Sequence, residues 1–111
     1  MDIVERIIEY YERPNFRVPF TEWFYSLKSK NDQSAIRSRL ARLRAGNLGD
    51  CKPIGEGVFE LRIHVGPGYR IYFGQAGMKI VVLLIGGEKS TQNKDIPIAQ
   101  AYWMEFRRRQ L

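Results

Sequence analysis

Two alternating segments joined by a glycine-rich turn constrain the fold of this chain more than any other feature. Residues 58–64 read VFELRIH and residues 69–74 read YRIYFG, with GPG at 66–68 between them. Such alternation on both sides of a short turn predicts an antiparallel β-hairpin. The apolar residues of both strands can face one core only if residues of like parity pair, for instance Arg62 opposite Tyr72. The other face is then expected to carry Glu60, Arg62, His64, Arg70 and Tyr72.

A further strand is predicted at 79–85, where KIVVLLI is continuously apolar, as expected of a strand that is covered on both faces. Gly86 and Gly87 are expected to end it. Residues 3–11, IVERIIEYY, are ambiguous, because their apolar spacing fits a helix while their β-branched and aromatic content fits a strand.

Helices are predicted on both sides of these strands. The clearest is 33–45, QSAIRSRLARLRA, in which Ile36, Leu40 and Leu43 form one apolar stripe. A shorter helix with apolar residues at helical spacing precedes it, and an amphipathic helix of about 96 to 108 ends the chain. The order predicts one α+β domain over 1–111: a small, mostly antiparallel sheet, an N-terminal helical hairpin packed on one face, and a C-terminal helix.

Composition excludes several classes of protein. The chain contains one cysteine, Cys51, and one histidine, His64, so a disulfide framework and multi-residue Cys or His metal sites are excluded. We expect neither metal nor cofactor. No apolar run approaches the roughly 20 residues of a membrane helix, and the N-terminus does not resemble a signal peptide. We therefore expect a cytoplasmic protein with no membrane partner.

The charge is concentrated in the middle of the chain. Of the formal +6, residues 28–52 contribute seven basic and two acidic residues, a net of +5. On the helix 33–45, Arg39 and Arg42 are expected opposite the apolar stripe, and Arg37 and Arg44 on one flank of it. A polyanion such as RNA is one partner for these residues, and a merely solvated face is the alternative. The predicted cationic contacts are Arg37, Arg39, Arg42, Arg44, Lys52, Arg107 and Arg108.

The polar face of the hairpin is the candidate for chemistry. Arg62 and Arg70, directed at one surface, can bind a phosphate through paired hydrogen bonds. Tyr72 beside them can stack on a base or move a proton, and Lys89 follows the apolar strand. The alternative is that each arginine pairs with Glu60 or another acid and only decorates the sheet. His64 is a possible proton-transfer group, although a lone histidine is more typical of a plain surface.

Three motifs in this order resemble a known family. GNLGD (46–50), ELRIHVGPGYRIYF (60–73) and GGEKSTQ (86–92) look like the phage-derived addiction-module killer proteins. These HigB-like toxins belong to the RelE/ParE toxin superfamily. The resemblance covers about residues 19 to 103. It implies a RelE-like fold, with a small antiparallel sheet and an N-terminal helical hairpin, and it favours a strand for the ambiguous start.

The resemblance also implies site residues. Arg70, in YRIYF, matches the arginine that RelE-type nucleases place against the scissile phosphate. Arg62, in ELR, and Lys89, in GGEKS, match basic positions of those enzymes, and Tyr72 is a looser match. The C-terminus departs from the family pattern, since it holds no histidine and its tyrosine, Tyr102, lies on the amphipathic C-terminal helix, whose apolar face is expected to pack on the core. The general base is therefore left open.

Members of this superfamily are toxins of type II toxin–antitoxin pairs. The resemblance implies an mRNA endonuclease (an mRNA interferase) that acts in the ribosome without metal, through the 2′-OH of the RNA, and inhibits translation. The partners implied are the ribosome, mRNA and a cognate helix-turn-helix antitoxin. The alternatives are a ParE-like inhibitor of gyrase and a catalytically inactive module that binds antitoxin or RNA.

Overall fold

The structure, a computed structural model, describes residues 4–110. Within this range the chain forms an α+β fold with a five-stranded sheet and three helices, which confirms the predicted class. A short 3₁₀ turn precedes the last helix. The elements in chain order are β1 (Ile7–Tyr10), α1 (Pro19–Ser26), α2 (Lys30–Arg44), β2 (Cys51–Gly55), β3 (Val58–Ile63), β4 (Tyr69–Ala76), β5 (Ile80–Glu88) and α3 (Gln92–Arg109).

The sheet is mostly antiparallel, as predicted, with the strand order β1-β5-β4-β3-β2. Only the pairing of β1 with β5 is parallel among the described strands. β1 resolves the ambiguous N-terminal segment in favour of a strand. β2 was not predicted, because CKPIG is short, lacks alternation and contains Pro53. As an edge strand, β2 tolerates a proline that cannot donate a ladder hydrogen bond.

The β3–β4 hairpin has the predicted parity but a different register. Leu61 lies opposite Ile71, so both apolar sets face one core as expected. Arg62, however, lies opposite Arg70 rather than opposite Tyr72. A shift of two residues leaves every side chain on its face, so alternation alone cannot distinguish the two registers. The loop at 64–68 sets the choice.

Helices α1 and α2 cover one face of the sheet. Ile36, Leu40 and Leu43 are buried there, which confirms the predicted stripe. The strand β1 precedes both helices, so an N-terminal helical hairpin is not confirmed in that form. The side chain of Ser29 caps α2 by accepting the backbone N–H of Asp32.

Helix α3 covers the opposite face of the sheet. Its Ala99 and Trp103 are buried against Val82 and Leu84 of β5, so β5 is enclosed on both faces, as predicted. The polar face of the hairpin points to this side as well. The hairpin's polar face was predicted to be open to solvent. This prediction is wrong for Glu60 and Tyr72, which are buried beneath the start of α3.

Gly86 does not end β5, since the strand continues to Glu88. The indole of Trp23 packs directly on Gly86, and the carboxylate of Asp95 packs on Gly87. A side chain at either glycine would collide with these groups. The two glycines thus allow close approach to α1 and α3, rather than marking a turn.

Within residues 4–110, none of the helices is both long and apolar enough to cross a membrane.

Candidate functional site

A buried carboxylate, that of Glu60, organises the polar face of the hairpin. It is fully enclosed, and its Oε1 accepts a hydrogen bond from Arg62 Nε at 3.1 Å. Its Oε2 accepts a second from Gln92 Nε2, in the first turn of α3, at 2.7 Å. Arg70 Nε lies 3.7 Å from Oε1, within ion-pair distance. One negative charge therefore holds two guanidinium groups and the start of α3.

The two arginines lie side by side but differ in access to solvent. Arg62 and Arg70 are direct partners across β3 and β4. The Arg62 side chain is 28% exposed and that of Arg70 is 8% exposed. Both pair with Glu60, as the decorative alternative anticipated. Arg62 alone of the two presents a substantial part of its guanidinium side chain to a ligand.

Tyr72 lies opposite Glu60 and is fully buried. Its hydroxyl has no hydrogen-bond partner among the described residues. Burial raises the pKa of this hydroxyl, and the carboxylates of Glu60 and Asp95 raise it further. The expectation that Tyr72 sits on an exposed surface is wrong, because α3 covers it, and an enclosed neutral phenol does not contact RNA.

Lys89 is exposed at the end of β5, in the 3₁₀ turn. Its backbone N–H donates to the carbonyl of Gly68, just before β4, at 2.8 Å. Arg70 pairs with Gly87, two residues before Lys89. Lys89 therefore lies at the same end of the sheet as the arginine pair.

His64 follows β3 and forms an exposed pair with Asp50, which precedes β2. His64 Nε2 lies 2.6 Å from Asp50 Oδ2. The hydrogen bond from His64 lowers the pKa of the Asp50 carboxyl, and the charges of Arg62 and Arg70 lower it further. The sequence interpretation missed Asp50. Its place in GNLGD was visible, but only the unpredicted strand β2 brings it beside His64.

The predicted cationic contacts divide into separate groups. Arg37, Arg42 and Arg44 are exposed on α2, as expected. This helix covers the face of the sheet opposite the arginine pair. Lys52 is exposed on β2 opposite Glu60, while Arg107 and Arg108 are exposed in the last turn of α3. The structure does not gather these residues on one face.

The prediction that Arg39 is an exposed cationic contact is wrong, because its side chain is buried. It lies three residues after Ile36 and four before Leu43, and such residues share one side of a helix. The expectation that it lies opposite the stripe was wrong on this spacing. Its guanidinium donates to the carbonyls of Asn47 and Leu48 and thereby holds the loop before β2.

A sizeable cleft lies elsewhere in the fold. A cavity of about 690 Å³ opens between the end of α1, the end of β5 and the start of α3. Its lining includes none of the predicted site residues. No three His, Cys, Asp or Glu side chains of residues 4–110 are grouped so that they could hold a metal ion. The candidate site is thus an open sheet end with two arginines and an Asp–His pair.

A Haemophilus influenzae protein, described only as an uncharacterized protein, is 46% identical to this chain over 87 residues. The match spans 78% of this chain and 88% of that protein. No protein-family model matches the chain.

Proposed function

We propose a function for this chain, which belongs to the same family as the Haemophilus influenzae protein: it is the toxin of a type II toxin–antitoxin system and a ribosome-dependent mRNA endonuclease. The proposal includes a RelE-like fold, with α1 and α2 in the place of the helical hairpin. It also includes a cytoplasmic location and a helix-turn-helix antitoxin as partner. The motifs GNLGD, ELRIHVGPGYRIYF and GGEKSTQ support it by resemblance.

The observation that carries the proposal is the arginine pair on β3 and β4. Arg62 and Arg70 are direct cross-strand partners; the Glu60 carboxylate accepts a hydrogen bond from Arg62 and lies within ion-pair distance of Arg70. Guanidinium groups held in place before the reaction stabilise the charge that develops on a phosphate in the transition state. Arg62, which is more exposed, makes the direct phosphate contact. Arg70 adds positive charge behind it and restrains Glu60.

The reaction proposed is cleavage through the RNA's own 2′-OH. Its products are a 2′,3′-cyclic phosphate and a free 5′-OH, and it requires in-line alignment of the 2′-oxygen, the phosphorus and the leaving oxygen. The end of the sheet that carries the arginine pair offers positive charge but does not enclose the RNA. We therefore assign the alignment of the message to the ribosome. The isolated protein is expected to cleave free RNA slowly.

Docking on ribosomal RNA is assigned to seven of the exposed cations. Arg37, Arg42 and Arg44 cover one side of the molecule, and Lys52, Lys89, Arg107 and Arg108 lie on other parts of it. Contacts between such side chains and RNA phosphates displace counterions, so binding is expected to weaken steeply as salt increases.

Expression in a bacterial host tests this function. We expect the wild type to arrest growth and to produce new 5′ ends within translated messages. Arg62→Gln is expected to relieve both effects, since glutamine lacks the charge and the paired donors of arginine. Arg70→Lys keeps the charge beside Glu60 and is expected to cleave weakly.

Lys79→Gln is the matched control. It removes one exposed charge in the turn between β4 and β5, at the other end of the hairpin from Arg70, and should arrest growth like the wild type. Growth arrest with intact messages and altered DNA supercoiling would replace the proposal with gyrase inhibition. Harmless wild-type expression would favour an inactive binding module.

A further inference from the structure

Asp50 and His64 stand together at one end of the sheet, beside the arginine pair. β2 begins at Cys51, whose partner is Leu61, so Asp50 continues this ladder opposite Arg62. The backbone N–H of Arg62 donates to the carbonyl of Asp50 at 2.9 Å. Side chains opposite each other in antiparallel strands lie on one face, so the Asp50 carboxylate shares a face with Arg62, and the charges of Arg62 and Arg70 both lower its pKa.

The loop that precedes Asp50 is held in place by the buried side chain of Arg39. The buried guanidinium of Arg39 donates to the carbonyls of Asn47 and Leu48. It also packs directly under Gly49, which has a φ of +60°. A side chain at Gly49 would be strained and would collide with Arg39. The Asp50 backbone is therefore held in place from the core side, although its carboxylate faces solvent.

The pair itself is open to a ligand. The His64 side chain is 70% exposed and that of Asp50 is 46% exposed. A carboxylate only accepts hydrogen bonds, so His64 Nε2 carries the hydrogen that the two share. The other ring nitrogen, Nδ1, is then unprotonated in the neutral imidazole and is able to accept a proton. Within the described residues, no hydrogen bond occupies Nδ1.

We propose, on the basis of the nuclease function above, that His64 is the general base of RNA cleavage and that Asp50 is its positioning residue. His64 Nδ1 takes the proton of the 2′-OH, and the 2′-oxygen forms a bond to phosphorus. The bond from phosphorus to the 5′-oxygen breaks, and the leaving oxygen takes a proton from water. The imidazolium then returns its proton to solvent, so the protein is unchanged.

Single-turnover cleavage of mRNA on ribosomes by the purified protein tests this proposal. We expect His64→Ala to slow cleavage by about 10²-fold or more, the usual contribution of general base catalysis. Because the side chain is exposed, free imidazole is expected to enter the vacated site and restore part of the rate. Asp50→Asn is expected to slow cleavage less, and added imidazole should not rescue it.

Rescue by imidazole distinguishes chemistry from folding, since a merely structural histidine gains nothing from it. Lys79→Gln serves again as the control and should cleave at the wild-type rate. Unchanged cleavage by His64→Ala, with cleavage lost in Arg62→Gln, would overturn the role of His64 and leave the nuclease function standing. A slow His64→Ala that imidazole does not rescue would also overturn it. A wild type that cleaves nothing would overturn both.

Discussion

Glu60 carries its negative charge at a point in the sheet from which water is excluded. Burying an ion is costly unless it is paired and hydrogen-bonded, and Glu60 meets this condition with Arg62, Arg70 and Gln92. The hydrogen bond to Glu60 restricts the rotamer of Arg62, and the Arg70 guanidinium lies beside the same carboxylate at ion-pair distance. One residue thus couples stability to the geometry of the candidate site.

Glu60→Gln tests this coupling. The substitution removes the counter-charge of the buried Arg70 guanidinium, and removal of one partner of a buried ion pair typically costs about 3–5 kcal/mol. We expect about 3 kcal/mol, the lower end of that range, because Arg62 is partly solvated. Urea denaturation measures the loss in the free energy of unfolding.

Glu9→Gln, at an exposed position on β1, is the control and should change stability by less than about 0.5 kcal/mol. Equal stability of Glu60→Gln and the wild type would show that Glu60 does not neutralise a buried charge.

Among the elements, the close contact of α3 with the sheet determines which polar residues are exposed. The indole of Trp103 lies on Gly74 of β4, a position where only a glycine leaves room. This approach brings the start of α3 over Tyr72 and lets Gln92 reach Glu60.

Gly74→Ala is expected to destabilise the protein by about 1–3 kcal/mol, since its methyl group would enter space that the Trp103 ring occupies. Trp103→Phe is expected to be destabilising alone but to relieve part of this clash. The double variant should therefore lose less than the sum of the two single losses, as measured by denaturation. Strictly additive losses would show that α3 does not pack on Gly74.

The local sequence pattern predicted most helices and strands, but not which of their residues are buried by neighbouring elements. Alternation in β3 and β4 was sufficient to predict two strands and their buried face. The stripe of Ile36, Leu40 and Leu43 was sufficient to predict a helix and its buried side. Burial of Tyr72 depends on how closely α3 approaches the sheet, which the sequence does not encode locally. The Asp50–His64 pair depends on β2, a strand too short to show a pattern. The burial of Arg39 is different, because it could have been predicted from its helical spacing relative to Ile36 and Leu43.

For the molecule as a whole, helices cover both faces of the sheet, and the candidate site lies at the ends of strands. Arg62, Asp50, His64 and Lys89 lie where β2, β3 and β5 begin or end. The exposed arginines of α2 lie on the other side of the sheet. Under the proposed function, exposed cations on several sides contact ribosomal RNA, and a small area at one end of the sheet acts on a phosphate.

The nuclease function is tested most directly by the chemical termini of the RNA fragments. These form when the purified protein acts on mRNA held by ribosomes. We predict fragments that end in a 2′,3′-cyclic phosphate and begin with a 5′-OH, formed by the wild type and Lys79→Gln but not by Arg62→Gln. Mass spectrometry of the fragments identifies both termini. Intact messages with the wild type, or fragments that begin with a 5′-phosphate, would contradict cleavage through the 2′-OH at this arginine pair.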